Sequence, residues 1–128
     1  MFSRAVAALA VSLLALSSAW AAEKDSHVYE LRIYRTVLGG AQQYGKDFLE
    51  VKEAREKYSP IWGAWTGEFP QPNEWIHLWR YKNLEERFKA RGAAMKDPDW
   101  QAYLAKGPPL LAEMHSTLLM PTNYSPLK

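Results

Sequence analysis

His77 sits in the run Glu74-Trp75-Ile76-His77-Leu78-Trp79-Arg80-Tyr81, with an indole two residues to either side. Apolar and aromatic residues alternating at a period of two mark a strand. Trp75, His77, Trp79 and Tyr81 then share one face, and Ile76 and Leu78 the other. Histidine changes charge near neutral pH, which makes His77 the candidate general base. A second alternating run, Tyr29-Glu30-Leu31-Arg32-Ile33-Tyr34, places Glu30, Arg32 and Tyr34 together. Glu30 and Arg32 suit a structural ion pair, or Arg32 can grip an anion through parallel hydrogen bonds. Trp65 joins this group, or Trp62 does, because a one-residue slip of their strand exchanges the faces. Glu30, Arg32, Tyr34, Trp65, Trp75 and Trp79 around His77 form the candidate ligand-binding set, with apolar walls and few convergent polar groups. The plainer reading is a hydrogen-bonded interior histidine among aromatics that fill a subunit interface.

Other chemistries lack support. The histidines are His27, His77 and His115, without cysteine or a paired-histidine spacing, so no metal site is expected. No helix carries a suitably placed inward histidine for haem. Gly39-Gly40 lacks the lysine and hydroxyl residue of a phosphate loop, and no nucleophile elbow is present. No cofactor is therefore expected. Lys and Arg number 16 against 14 Asp and Glu, too even a balance for a nucleic-acid or membrane-surface protein.

The first 21 residues read as a leader: a short start with Arg4, an Ala/Leu/Val run from Ala5 to Ala19, and Ala19-Trp20-Ala21 before a cut at Ala21/Ala22. The run is short for a membrane span, which takes about 20 apolar residues. Residues 22–128 then form one domain, periplasmic or secreted, with no membrane association once the leader is removed. Without cysteines it has no disulfide support, and a second copy of the chain is a natural supplement to a modest core.

The elements that position the candidate residues follow from periodicity. A first strand spans 27–35, with Tyr29, Leu31 and Ile33 on one face. Gly39-Gly40 turns the chain into a helix over 41–58, striped by Tyr44, Phe48, Val51, Ala54 and Tyr58 and ended by Pro60. A second strand spans 61–69, and the Trp75 strand is the third. Leu84, Phe88, Arg91 and Met95 mark a second helix. Asp97-Pro98 opens a further one with Trp100, Tyr103 and Leu104 inward, and Gly107 breaks it. A fourth strand covers 116–120, residues 110–115 are ambiguous, and 121–128 form a tail. The fold class is α+β: a ferredoxin-like β-α-β-β-α-β sheet with helices on one face. The helices are expected on the Tyr29/Leu31/Ile33 and Ile76/Leu78 face, and a second copy on the aromatic face, closing a dimeric α+β barrel.

The chain resembles the NIPSNAP family of the dimeric α+β barrel superfamily over nearly all of residues 22–128. The resemblance rests on Tyr29-Glu30-Leu31-Arg32-Ile33-Tyr34, Gly63-Ala64-Trp65-Thr66-Gly67-Glu68-Phe69, Asn73 with His77-Leu78-Trp79-Arg80-Tyr81, and Lys96-Asp97-Pro98-Asp99-Trp100-Gln101. Pro109-Leu110-Leu111, Met114, Ser116, Pro121 and Tyr124-Ser125-Pro126 extend it. The family's usual Gly-Pro-Leu-Asn hairpin stands here as Pro70-Gln71-Pro72-Asn73. The resemblance implies the fold and a homodimer, and leaves activity open. The leading expectation is an exported homodimer that binds a small hydrophobic or aromatic molecule in its barrel. One alternative is a cofactor-independent monooxygenase or isomerase with His77 as base, aided by Glu30 or Tyr34. The other is a purely structural or interaction dimer.

Overall fold

A run of β-branched and aromatic residues opens the fold as β1, Val28–Thr36. The computed structural model of the protein describes residues 27–128; the leader and its cleavage site lie outside them. Gly39 takes the left-handed conformation (φ 74°) that its lack of a side chain permits and starts α1, Gly40–Glu56. β2 spans Ile61–Thr66 and β3 spans Glu74–Tyr81. Asn83 caps α2, Leu84–Ala94, by accepting the Glu86 amide hydrogen bond. Asp97 accepts from the Asp99 and Trp100 amides and, with Pro98 in the first turn, starts α3, Pro98–Lys106. β4 runs Leu111–Leu119, so the ambiguous stretch before Ser116 is mostly strand.

The four strands pair antiparallel in the order β2-β3-β1-β4. This is the split β-α-β arrangement expected from the element order, with α3 as an additional short helix before β4. β2 ends at Thr66, three residues before the expected Phe69.

The helices cover the opposite face from the expected one. On β3, Trp75, His77, Trp79 and Tyr81 are buried while Glu74, Ile76, Leu78 and Arg80 are half-buried. Phe48 of α1 packs 5.1 Å from Trp75 and 6.1 Å from Trp79, ring centre to ring centre. Arg87 of α2 reaches Glu30 of β1 at 2.8 Å. The aromatic face is thus the core of the chain itself, and Leu31, Ile33, Ile76 and Leu78 lie on the open face. The reason is complementarity. The inward stripe of α1 is itself aromatic, and α2 carries the guanidiniums that Glu30 requires when buried. Period two groups residues by face but does not say which face a helix takes. The α2 stripe is also rotated: Leu84 and Phe88 are exposed, while Arg87, Arg91 and Ala94 face inward.

Two loops are tied together at one end of the sheet. The Asn73 carbonyl accepts from the Thr36 amide at 2.8 Å, and its side-chain oxygen accepts from the Gly39 amide at 3.1 Å. This fixes the start of α1 against β3, and hence the seating of Tyr44 and Phe48.

Candidate functional site

His77 is 3% exposed and its imidazole has one hydrogen-bond partner: Trp79 Nε1–H donates to His77 Nδ1 at 2.6 Å. An indole nitrogen can only donate, so Nδ1 must be the acceptor and carries no proton. Burial first, and then the positive charges of Arg32, Arg91 and Arg55, push the imidazole pKa from 6.5 down to about 3. His77 is therefore neutral at physiological pH, with its hydrogen on Nε2. That Nε2–H has no partner among the described residues. The ring is held rigidly, stacked 4.0 Å from Trp75 and edge-on to Tyr34 at 4.8 Å. The nitrogen left free is thus a donor. The lone pair that the expected general base would use, on Nδ1, accepts from Trp79.

Glu30 is fully buried and engaged on both oxygens. Arg32 Nη1 donates to Oε1 at 2.7 Å, Ser116 Oγ to Oε1 at 2.6 Å, and Arg87 bridges both oxygens at 2.8 and 3.0 Å. Arg91 adds a charge 3.6 Å from Oε2. Burial alone would raise the Glu30 pKa. The bonds from Arg87 and Ser116 and the charges of Arg91 and Arg32 outweigh it and bring the carboxyl down to about 2. Glu30 is thus an anion at neutral pH that anchors three arginines. Arg32 also donates through Nε to the Tyr34 hydroxyl at 2.8 Å.

Arg55 is the second buried charge, 2% exposed. Its Nη1 donates to Ser59 at 2.7 Å and Nη2 to Tyr81 at 3.4 Å. Its flat faces lie against Trp79, 4.3 Å from the ring centre, and Trp100 at 5.3 Å. Among the described residues no carboxylate forms an ion pair with it. Two indole faces and two hydroxyls hold this guanidinium, a cation–π arrangement strengthened by desolvation.

Between the sheet and the helices these groups wall a cavity of about 290 Å³, at the small end of the roughly 300–1,000 Å³ of ligand pockets. Arg32, Tyr34, His77 and Trp79 of the expected set line it, joined by Arg55, Arg91, Tyr44 and Trp100. Leu104, Leu111, Met95 and Met114 complete its apolar side. Among the described residues no Asp or Glu is in the wall. Burial pushes the Tyr44 hydroxyl pKa up to about 12, so it stays protonated. Trp75 backs His77 without lining the cavity, and Glu30 lies behind Arg32.

Trp65 does not join the site. It pairs with Ile76 on the open face, is 51% exposed, and lies across Gly63, where a side chain would collide with its ring. A bulge between Ile61 and Gly63 puts Trp62 on that face too, edge-on to Tyr29 at 5.8 Å with Arg80 stacked above it. A larger, more open groove of about 600 Å³ runs between α1 and β2, but its wall carries no buried unpartnered polar atom.

Arg55 and Arg91 are the charged cavity residues missing from the expected set, and both left a signal. Arg55 falls seven residues after Phe48, on the same helical face, and Arg91 stands within the stripe of the second helix. A charge inside an apolar stripe marks a buried ionic partner or a ligand contact.

The NIPSNAP family model matches residues 29–126. A protein NipSnap homolog of Dictyostelium discoideum is 36% identical over 97 residues, covering 76% of this chain and 44% of that relative. The chain thus spans less than half the length of that curated relative. A NIPSNAP-like domain protein of Burkholderia xenovorans has a solved structure that superposes with a TM-score of 0.72 at 30% identity, over 80% of this chain and 90% of that one. A family protein of unknown function from Agrobacterium tumefaciens superposes at 0.75 with 27% identity, over 81% and 96% of the two chains.

Proposed function

The chain belongs to the NIPSNAP family, and from that premise we propose that it binds a small, partly aromatic molecule in the cavity between its own sheet and helices. One observation carries this reading: the Nε2–H of a 3% exposed histidine in the cavity wall has no acceptor. An unsatisfied buried donor costs about 1–3 kcal/mol, and folded proteins rarely keep one without a use for it. A ligand oxygen or nitrogen would supply the missing acceptor. Tyr34, Trp79 and Trp100 offer flat apolar walls for the rest of the molecule.

Any chemistry at this site would use His77 as a donor to negative charge developing on a substrate oxygen, not as a base. Two further parts of the proposal concern context. The leader over 1–21, cut at Ala21/Ala22, would export the chain, and intact mass of the exported protein checks the cut. A second copy would cover the open sheet face, which no helix among the described residues covers.

Binding is tested by titrating small planar aromatics against intrinsic tryptophan fluorescence. Saturable binding is expected in the wild type and lost in a Leu104→Trp variant, whose new indole fills the cavity while circular dichroism shows the fold intact. Saturable binding that survives Leu104→Trp would place the site elsewhere and overturn the proposal.

A further inference from the structure

Four guanidiniums converge on this region, from Arg32, Arg55, Arg87 and Arg91, and one carboxylate, Glu30, faces them. Arg32, Arg55 and Arg91 line the cavity itself, and no acidic residue among the described residues does. Buried ions normally persist in pairs, because an uncompensated charge in a low-dielectric interior is strongly destabilising. Arg32 and Arg91 share Glu30 with Arg87, and Arg55 has no anionic partner among the described residues. The polar wall groups with hydrogens to give are His77 Nε2–H, the three guanidiniums, and the Tyr34 and Tyr44 hydroxyls. Acceptors are fewer: the Tyr34 oxygen already receives a hydrogen bond from Arg32 Nε at 2.8 Å and His77 Nδ1 is taken by Trp79, which leaves the Tyr44 oxygen.

A neutral hydrophobic ligand would leave this donor surplus and positive field unanswered. We propose that the ligand is an organic anion: a carboxylate, or an oxyanion of similar delocalisation, on a small flat apolar body. The inference rests on the cavity being a ligand site, as proposed above, and specifies what it takes. Its charged end accepts from His77 Nε2–H and faces the guanidiniums. Its body lies toward Leu104, Leu111 and Met95. His77 matters here because it stays neutral: it donates directionally, and the arginines supply the charge. An arginine at a carboxylate also brings geometric selectivity through its fork of parallel donors.

The test uses benzoate and its neutral near-isostere benzamide, titrated separately against the full-length protein at neutral pH and moderate salt. Benzoate is expected to bind at least about tenfold more tightly, a difference on the order of 1.4 kcal/mol. In Arg91→Met that advantage should collapse toward unity, and Arg91→Lys should restore part of it. Arg91 is partly exposed, and circular dichroism of each variant checks that the fold is kept. Equal affinity for the two probes, with both lost in Leu104→Trp, would overturn the anion assignment while leaving the cavity as the binding site. Binding of neither probe would overturn both. A benzoate preference unchanged in Arg91→Met and equally in Arg55→Met would also overturn the assignment, because the charge recognised would lie elsewhere.

Discussion

At the scale of the residue, the site turns on which nitrogen of His77 carries the hydrogen. Trp79 answers that, since an indole N–H at 2.6 Å from Nδ1 leaves only Nε2 for the proton. The same burial makes His77 a source of acid sensitivity. Its pKa is about 3 in the folded protein against 6.5 ordinarily, so the unfolded chain takes up a proton first as pH falls. Stability is then fully present above pH 6.5 and is lost as pH falls toward 3. Glu30, held at about 2 against 4.5, loses its contribution only below pH 4.5. Between pH 7 and 5 the wild type should therefore lose about 2 kcal/mol of unfolding free energy through His77. His77→Asn, which keeps an oxygen for Trp79 without titrating, should be nearly flat over that interval. Urea unfolding across the pH series measures this, and equal slopes in both proteins would contradict it.

At the scale of the element, α2 brings Arg87 and Arg91 to Glu30 and closes one wall of the cavity. Its start depends on the Asn83 side chain accepting from the Glu86 amide at 2.8 Å. Asn83→Ala should cost about 1 kcal/mol of stability and weaken ligand binding along with it, and Asn83→Ser should recover most of both. Unfolding and binding titrations on the three proteins decide whether the cap acts as described. The elements themselves were largely legible in the sequence. Alternation identified β1 and β3, and Gly39, Pro60, Asp97-Pro98 and Gly107 marked helix ends correctly to within a few residues. The facing of the sheet was not legible, because alternation defines two faces symmetrically and both of these are apolar. The α1 stripe of Tyr44 and Phe48 held the clue, since aromatic rings pack most readily with other rings. Trp65 was misplaced for a second reason: the bulge at Ile61–Gly63 shifts the register by an amount no pattern reveals.

At the scale of the whole molecule, placing the aromatics in the core of the chain separates two roles that the sequence merged. The proposed ligand cavity lies within the chain, and the proposed contact with a second copy belongs to the open face of Leu31, Ile33, Ile76 and Trp65. Tyr29, on that same face, is already covered by Trp62 and by the tail, whose Lys128 carbonyl accepts its hydroxyl hydrogen at 3.0 Å. Ile76→Glu should therefore give a folded monomer by sedimentation while His77 and its surroundings keep their wild-type spectrum. A dimer that persists in Ile76→Glu would move the contact to another surface.

The hydrogen on His77 Nε2 is what joins the fold to the proposed ligand, and it can be observed directly. Nitrogen-15 spectra of the imidazole, recorded at neutral pH during a benzoate titration, report both the tautomer and the contact. The expected result is a neutral ring protonated on Nε2 throughout, with the Nε2 resonance moving saturably as benzoate binds. A ring protonated on Nδ1, or an Nε2 resonance unmoved at saturating benzoate, would contradict it.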